Sequence, residues 1–210
     1  MACVRLFPVE HGAAAVRWAR MALEEAVQGP RLQLLPAPPP GLAEPRGAFV
    51  TLTTTAGELR GCTGFVEARA PLHEVVARAA TLAARDPRFS PVRAEELERI
   101  LVEVSILSLP VAVHARAPED LAAAVRVGDH GLVVARGRDR GVLLPQVAVE
   151  HGFTAEQFLG ACCVKAGLDA EAWRDAGLQW AVFGAQVFAE REPGGAVAMV
   201  GAEDARPEVA

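Results

Sequence analysis

The sequence predicts an α+β protein with packed helices and mostly antiparallel or mixed sheets. Three observations support this fold class. Apolar residues recur every three or four positions in some segments and alternate in others, so helices and strands follow one another irregularly along the 210 residues. Two pairs of strand-like runs flank short glycine-containing loops and predict β-hairpins. The sequence contains no glycine-rich dinucleotide-binding motif, so it gives no sign of a doubly wound parallel sheet.

The first half of the chain predicts two helices and three strands. Helical spacing of apolar residues predicts a helix over 11–28, which Gly29-Pro30 ends. Residues 30–47 contain six prolines and predict an extended, ordered connector. The remaining predicted elements are a hairpin with strands at 49–53 and 59–66, a helix at 72–85 that Asp86-Pro87 ends, a helical turn at 94–97, and a clearly alternating strand at 100–109.

The second half predicts a further hairpin between helices. Thr154 and Gln157 form a capping box for a helix that Gly167 ends. The other predicted elements are a helix at 119–125, strands at 132–135 and 141–144 joined by a turn at 137–141, and a final strand at 179–188. We expect one domain over 1–190, and a flexible, frayed tail over 191–210, where aromatic residues are absent.

Composition and charge limit the class of protein. Apolar residues make up 51% of the chain and charged residues 22%, a balance that favours a globular fold over disorder. No run approaches the roughly 20 apolar residues that cross a bilayer, and the first residues do not resemble a secretory signal, so we expect a cytoplasmic protein without a membrane partner. A net charge of −5 disfavours nucleic-acid binding. We expect the four cysteines to be free thiols.

The segment Leu59-Arg60-Gly61-Cys62-Thr63-Gly64 is the most informative part of the chain. Glycines inside a strand weaken it and mark the close approach of a ligand or another backbone. In a regular strand Arg60 and Cys62 share a face about 7 Å apart, and a guanidinium at that distance favours the thiolate. Two interpretations follow. Cys62 is an activated nucleophile or thiol ligand beside an anion-binding Arg60, or Cys62 is a small buried side chain and Arg60 pairs with an acid.

Three other positions carry weaker signals. Arg88, between Pro87 and Pro91, either points at an anion or belongs to a rigid helix exit. Gln146 follows a proline that starts a helical turn, so it either meets an anion or lies in a capped, solvated turn. His151 either acts as a base at neutral pH or is a surface residue.

The positions of Cys162 and Cys163 indicate that both side chains pack in the core rather than react. Cys162 and Cys163 lie on an apolar helical stripe, which predicts that both are in the core, and Lys165 is three residues from Cys162. The spacing of cysteines and histidines predicts no metal site, and no self-sufficient catalytic motif is present. The sequence identifies no cofactor.

Five motifs follow one another along the chain. They are Leu59-Arg60-Gly61-Cys62-Thr63-Gly64, Asp86-Pro87-Arg88-Phe89, Glu103-Val104-Ser105-Ile106-Leu107, Leu144-Pro145-Gln146-Val147-Ala148 and Cys163-Val164-Lys165-Ala166-Gly167-Leu168. In this order they resemble the AMMECR-one domain family, whose prokaryotic members are called AmmeMemoRadiSam system protein A. The similarity covers about residues 11 to 190. The chain departs from the family at Phe153, where members commonly carry tryptophan.

The resemblance implies a fold of two unequal, intertwined subdomains and an association with a Memo-type protein and a radical-SAM enzyme. It supports Arg60, Gly61, Cys62 and Gly64 as the family signature, and Asp86, Arg88, Pro145, Gln146 and Lys165 as supporting positions.

Our leading hypothesis is a component of this modification system. Cys62 is then the nucleophile or thiol ligand in a cleft, Arg60 activates it and holds an anionic group, and Arg88 or Lys165 adds a second positive charge. The alternative is a non-catalytic adaptor that presents substrate to partner enzymes. A third hypothesis, RNA binding, is disfavoured by the net charge.

Overall fold

A computed structural model describes residues 7–29, 37–67 and 69–200, which group into two compact units. In the described part of the chain, the larger unit comprises residues 7–107 and 186–200, and the smaller unit comprises residues 108–185. Both contain helices and antiparallel strands, so the predicted α+β class is confirmed. Cys3, residues 30–36 of the predicted connector and residues 201–210 of the predicted tail lie outside the described residues.

The elements lie close to their predicted positions. The helices are α1 (Val9–Gln28), α2 (Leu72–Ala83), α3 (Pro118–Ala124), α4 (Pro145–Glu150) and α5 (Ala155–Lys165). The strands are β1 (Ala48–Thr54), β2 (Leu59–Phe65), β3 (Ile100–Leu107), β4 (Val111–Val113), β5 (Gly131–Arg136), β6 (Asp139–Leu143), β7 (Gln179–Phe183), β8 (Ala185–Glu190) and β9 (Val197–Val200). Short 3-10 helices span Pro40–Leu42, Ala94–Arg99 and Ala170–Arg174. None of the helices in the described part of the chain has the length and apolarity of a bilayer-spanning segment.

The larger unit is a five-stranded sheet with two helices on one face. Its strand order is β2-β1-β3-β8-β9, and β1 pairs antiparallel with both β2 and β3. The helices α1 and α2 pack against each other and against the sheet. Because side chains alternate along a strand, Val50 and Leu52 of β1 enter the helix-covered core while Thr51 and Thr53 point to the other face.

A buried ion pair joins α1 to the sheet within this unit. The guanidinium of Arg20 donates hydrogen bonds to the carboxylate of Glu190 and to the carbonyl oxygen of Ile100, the latter at 2.6 Å. Glu190 also accepts a hydrogen bond from the backbone N–H of Val102 at 2.9 Å. Both charged side chains are more than nine-tenths buried, so each depends on the other for its charge to be compensated.

The smaller unit is a four-stranded antiparallel sheet packed against α5. Its strand order is β4-β7-β5-β6, and β5 with β6 forms the predicted second hairpin. The predicted capping box of α5 is confirmed, because the Thr154 hydroxyl accepts from the Gln157 N–H and the Gln157 side chain accepts from the Thr154 N–H. The core of this unit includes Phe158, Leu159 and Trp180.

The predicted final strand and tail need correction. The single strand expected over 179–188 is two strands that belong to different sheets, β7 and β8, separated by Gly184. The backbone N–H of Gly184 donates to the Ser108 hydroxyl at 2.9 Å, and the Ser108 N–H donates to the Gly184 carbonyl at 2.8 Å. Residues 197–200, expected to be frayed, form β9 and pair antiparallel with β8.

Candidate functional site

Three side chains lie in one row across the face of the larger sheet that α1 and α2 do not cover. Thr51 on β1 lies directly opposite Cys62 on β2 and directly opposite Glu103 on β3. The Thr51 hydroxyl donates a hydrogen bond to the Cys62 Sγ at 3.4 Å. Thr51 and Glu103 are each 1% exposed, whereas Cys62 is half-buried. We call these three residues the Cys–Thr–Glu row.

The face around this row is unusually polar for a buried sheet surface. Thr53 and Ser105, like Thr51 and Glu103, are each 1% exposed. The Ser105 hydroxyl is buried and has no hydrogen-bond partner within the described residues. Buried polar groups cost free energy unless they are paired, so a core of simple packing would place apolar side chains here.

The backbone next to Cys62 is fixed by the turn that follows α2. The N–H of Cys62 donates to the Asp86 Oδ2 at 2.9 Å. A methyl group on Gly61 would overlap the carbonyl oxygen of Ala83, at the end of α2. Gly61 therefore allows the backbone of β2 to approach the helix end closely. The sequence predicts that glycines in this strand mark the close approach of a ligand or of another backbone, and at Gly61 the structure shows a backbone. Further along β2, Gly64 lies opposite Phe49, and a side chain there would overlap the Phe49 ring.

Asp86 and Arg88 form a compact ion pair at this turn. The carboxylate accepts hydrogen bonds from the Arg88 backbone N–H at 3.0 Å, from its Nε at 3.1 Å and from its Nη2 at 2.9 Å. The side-chain hydrogen bonds of Arg88, with the backbone N–H of Cys62, outweigh burial and lower the pKa of Asp86 to about 2. The anion that Arg88 meets is therefore a carboxylate of this chain, as expected for a rigid helix exit.

Arg60 is held by a second internal acid. Its Nε donates to Glu96 Oε1 at 2.9 Å and its Nη2 donates to Glu96 Oε2 at 3.1 Å. Glu96 also accepts from the Arg93 N–H at 2.7 Å, and the Arg60 guanidinium is the main cause of a lowered Glu96 pKa. The pairing agrees with the second interpretation of the segment, in which Arg60 pairs with an acid. That Arg60 acts in catalysis stays a prediction.

The strand is not regular at Arg60, which corrects the premise of the predicted 7 Å spacing. Leu52 lies opposite Gly61 and Thr53 lies opposite Leu59, so Arg60 is the extra residue of a β-bulge. Beside this bulge, an open groove of about 860 Å³ is lined by charged residues that include Glu58, Arg93 and Glu96. The Arg60–Glu96 pair therefore borders a solvent-accessible surface.

The other described cysteines are packed in the smaller unit. Cys162 and Cys163 are fully buried on α5, which confirms the prediction that both belong to the core. Burial raises the pKa of the Cys162 thiol to about 12 and that of the Cys163 thiol to about 11. The three cysteines in the described ranges are free thiols, as predicted, and Cys62 is the most exposed of them.

Three further candidate residues belong to the smaller unit rather than to the unit of Cys62. Gln146 on α4 is 3% exposed, so its interpretation as part of a solvated turn is wrong, and its Nε2 has no hydrogen-bond partner in the described part of the chain. Lys165 is exposed at the end of α5. His151 is exposed, as expected for a surface residue, and its ring stacks on Phe153.

Sequence reasoning missed Thr51 and Glu103 as candidate site residues. The alternation of β3 placed Glu103 on the opposite face from Val102 and Val104, and a carboxylate in a fully buried strand was the available signal. Across the described ranges, histidine, cysteine and carboxylate side chains form no group of three or more that could hold a metal ion.

Proteins of known sequence and structure resemble this chain over most of its length. A protein of Thermofilum pendens is 44% identical over 199 residues, which cover 90% of this chain and 93% of the relative. Protein MJ0810 of Methanocaldococcus jannaschii is 42% identical over 196 residues, which cover 92% and 97%. The crystal structure of the uncharacterized protein PH0010 from Pyrococcus horikoshii matches with a TM-score of 0.83 and 39% identity, covering 93% of this chain and 98% of that one. The AMMECR1 family model matches residues 16–188. The chain therefore belongs to the AMMECR1 family.

Proposed function

We propose that the chain is a cytoplasmic component of a modification system and acts on its substrate through the Cys–Thr–Glu row. The modification is cysteine-dependent and its substrate is a small molecule or a macromolecule. The proposed partners, a Memo-type protein and a radical-SAM enzyme, follow from the family resemblance. The hydrogen bond from the Thr51 hydroxyl to the half-buried Cys62 sulfur is the observation that carries the proposal.

In the proposed step the Cys62 sulfur forms a bond to an electrophilic carbon of the substrate. The electron pair of the broken bond leaves with the departing group. The thiol proton passes to the Thr51 hydroxyl, which lies between the two side chains, while the hydroxyl proton passes to the Glu103 carboxylate. A hydrogen bond from Thr51 stabilises the thiolate, because it is made to the charged form of the sulfur. Neighbouring strands are about 4.8 Å apart, so the backbones of Cys62 and Glu103 are about 10 Å apart with only Thr51 between them.

The residues around Cys62 act as positioning residues in this proposal. Arg60 anchors β2 to Glu96 on one side of Gly61, and Asp86, itself held by Arg88, anchors the Cys62 backbone on the other. A nucleophile needs its sulfur held within a fraction of an ångström of the attack position, which two such anchors favour. Gly64, and Gln146 and Lys165 of the smaller unit, remain proposed binding positions.

Alkylation by iodoacetamide tests the proposal. In a Cys3→Ser variant, peptide mass spectrometry measures the alkylation rates of Cys62, Cys162 and Cys163 separately at pH 6 to 9. We expect Cys62 to react faster than the two buried thiols and faster than glutathione at pH 7, since a thiolate rather than a thiol is the nucleophile. A rate for Cys62 at or below that of glutathione would exclude an activated thiol.

A second candidate function is a non-catalytic adaptor. It is favoured by one observation: Arg60 and Arg88, two of the charged residues of the signature motifs, are both bound to carboxylates of this chain. The motifs would then shape a surface for the partner enzymes. Both proposals expect the Cys62→Ser variant to keep its complex with the Memo-type and radical-SAM partners in a pull-down. They differ in the modification, which continues in this variant if the chain is an adaptor and is lost if Cys62 is catalytic.

A further inference from the structure

The outer face of α2 carries two arginines with an exposed leucine between them. Arg78, Leu82 and Arg85 follow one another at spacings of four and three residues, which places their side chains on one stripe of the helix. Arg85 lies in the turn that continues α2, where its N–H donates to the Leu82 carbonyl at 2.9 Å. Both arginines are exposed, and Leu82 is 41% exposed. We call these three residues the α2 strip.

The positive charges of the α2 strip are not compensated within the described residues. Neither Arg78 nor Arg85 forms an ion pair there. Of the acids that lie close along the chain, Asp86 is bound by Arg88, and Glu74, one turn before Arg78, is not paired with it. In a chain whose net charge is −5, the strip is therefore a local excess of positive charge. Such an excess favours an anionic partner.

Arg78 is held in place by an aromatic ring of β2. Its guanidinium carbon lies over the Phe65 ring, 4.9 Å from the centroid. The ring attracts the cation, and the N–H donors at the edge of the planar guanidinium remain available to a carboxylate. An arginine positioned in this way loses less conformational freedom when a partner binds. The contact with Phe65 therefore favours an ion pair between Arg78 and a group outside this chain.

The strip lies beside the strand of Cys62. Phe65 and Cys62 both belong to β2, which is an edge strand of the larger sheet. The residue after Arg85, Asp86, accepts the hydrogen bond from the Cys62 N–H. The strip therefore follows β2 from Phe65, which lies under Arg78, to Cys62, and all of these residues belong to the larger unit. A partner bound to the strip would lie next to Cys62.

We propose that the α2 strip binds an acidic segment of a partner protein. Carboxylates of the segment pair with Arg78 and Arg85, and an apolar side chain between them packs on Leu82. A helical segment with acids seven residues apart matches the strip, because seven residues of a helix span about 10 Å. A nucleic acid fits less well, because its phosphates offer no apolar group to Leu82 and the net charge of −5 opposes its approach. The binding does not depend on the reactivity of Cys62.

Fluorescence anisotropy with a labelled twelve-residue peptide, made of three Glu-Glu-Leu-Glu repeats, tests the proposal on the full-length protein. The same peptide with glutamine in place of every glutamate is the uncharged control. We expect the acidic peptide to bind with a dissociation constant below about 1 mM and the uncharged peptide to bind more weakly. Binding of the acidic peptide should weaken as the salt concentration rises from about 0.02 M to 0.2 M, because salt screens exposed charges.

Two double variants locate the binding. Arg78→Gln/Arg85→Gln removes the charges of the strip, and Arg116→Gln/Arg138→Gln is the matched control. The control makes the same change in net charge at exposed arginines of the smaller unit, which form no ion pairs with the described residues. We expect the first variant to bind the acidic peptide about threefold to tenfold more weakly than the control variant does. Leu82→Ser should also weaken binding, whereas a contact made by charge alone would not change.

Four results would overturn the proposal. They are no binding of the acidic peptide, equal binding of the acidic and uncharged peptides, equal affinities of the two double variants, and unchanged affinity of Leu82→Ser. A fifth would assign the strip to nucleic acid instead: tighter binding of an oligouridylate of the same charge as the peptide, lost in Arg78→Gln/Arg85→Gln.

Discussion

Asp86 accepts a hydrogen bond from the backbone N–H of Cys62 at 2.9 Å, across 24 positions of sequence. The same carboxylate holds the guanidinium of Arg88. Two of the family's motifs are therefore one structural unit, in which the acid of the second motif fixes the cysteine of the first. Since Asp86 is 4% exposed, its charge is compensated by Arg88 and by backbone donors rather than by water.

Replacing Asp86 by asparagine should therefore lower the free energy of unfolding. Asparagine keeps one acceptor oxygen but turns an NH₂ group towards donors, so the hydrogen bonds of Arg88 or Cys62 are lost. We expect a loss of about 2–3 kcal/mol at pH 7, the range for hydrogen bonds to charged groups. Urea unfolding followed by circular dichroism measures it. Asp139→Asn, at an exposed position of β6, is the control and should change stability little.

The effect of Asp86→Asn should depend on pH. The folded-state pKa of Asp86, about 2, lies below the ordinary 3.8, so its ionised form stabilises the fold above pH 4. This stabilisation is lost as pH falls towards 2, and the shift corresponds to about 2 kcal/mol. The difference in unfolding free energy between wild type and Asp86→Asn should thus become smaller as the pH falls from 5 to 3. A gap of constant size across that range would contradict the assigned ion pair.

Gly61→Ala should destabilise the larger unit. The added methyl group would overlap the backbone carbonyl of Ala83, which cannot move without displacing the end of α2. We expect a loss of about 1–3 kcal/mol, as for other overpacked sites, measured by chemical denaturation. Gly177→Ala is the matched control, since nothing lies within 4 Å of the added atom there. Equal stabilities of the two variants would show that β2 does not need this close approach.

The Arg20–Glu190 pair should behave as a coupled buried pair. Glu190→Leu leaves the buried guanidinium uncompensated and should cost about 3–5 kcal/mol, and Arg20→Met should be similarly costly. The double variant Arg20→Met/Glu190→Leu should be less destabilised than the sum of the single changes, by about 1–3 kcal/mol. A double-mutant cycle on unfolding free energies gives this coupling, and strict additivity would contradict it.

Periodicity predicted the elements of this fold well, because most strands and helices bury a single face. It joined β7 and β8 into one strand, since both have β-prone, largely apolar sequences and Gly184 alone marks the change of sheet. It also missed β9, whose pairing depends on β8 and not on aromatic residues of its own. Non-local pairing of this kind leaves little signal in a short segment.

Only part of the candidate site could be predicted from the sequence, because its other residues also come together through non-local strand pairing. The sequence motifs identified Cys62 as a candidate residue. One of the two interpretations of Arg60 expected it to pair with an acid. Neither the motifs nor the residue spacing identified Glu96 as that acid. Thr51 could not be found from its own sequence context, because its relation to Cys62 arises from the register of β1 against β2. A β-bulge at Arg60, which shifts the strand by one residue, leaves no mark in the alternation of so short a strand.

Thr51→Val should lower the alkylation rate of Cys62. Valine has the shape of threonine but donates no hydrogen bond, so the thiolate loses the stabilisation from the Thr51 hydroxyl. We expect a roughly tenfold slower reaction with iodoacetamide at pH 7, which corresponds to about 1.4 kcal/mol. Thr51→Ser keeps the hydroxyl and should react at nearly the wild-type rate. Equal rates for the valine and serine variants would show that this hydrogen bond does not activate Cys62.

Glu103→Gln distinguishes a proton acceptor from a merely neighbouring charge. If Glu103 takes the thiol proton, glutamine cannot replace it, and the pH at which Cys62 alkylation reaches half its maximal rate should move upward. If Glu103 is only a buried negative charge near the sulfur, its removal favours the thiolate, and the same midpoint should move downward. The profile of alkylation rate against pH for wild type and Glu103→Gln, with Thr53→Val as a control on the same face, decides between them. A downward shift would remove Glu103 from the proposed mechanism and leave Thr51 as the one residue of the row that activates Cys62.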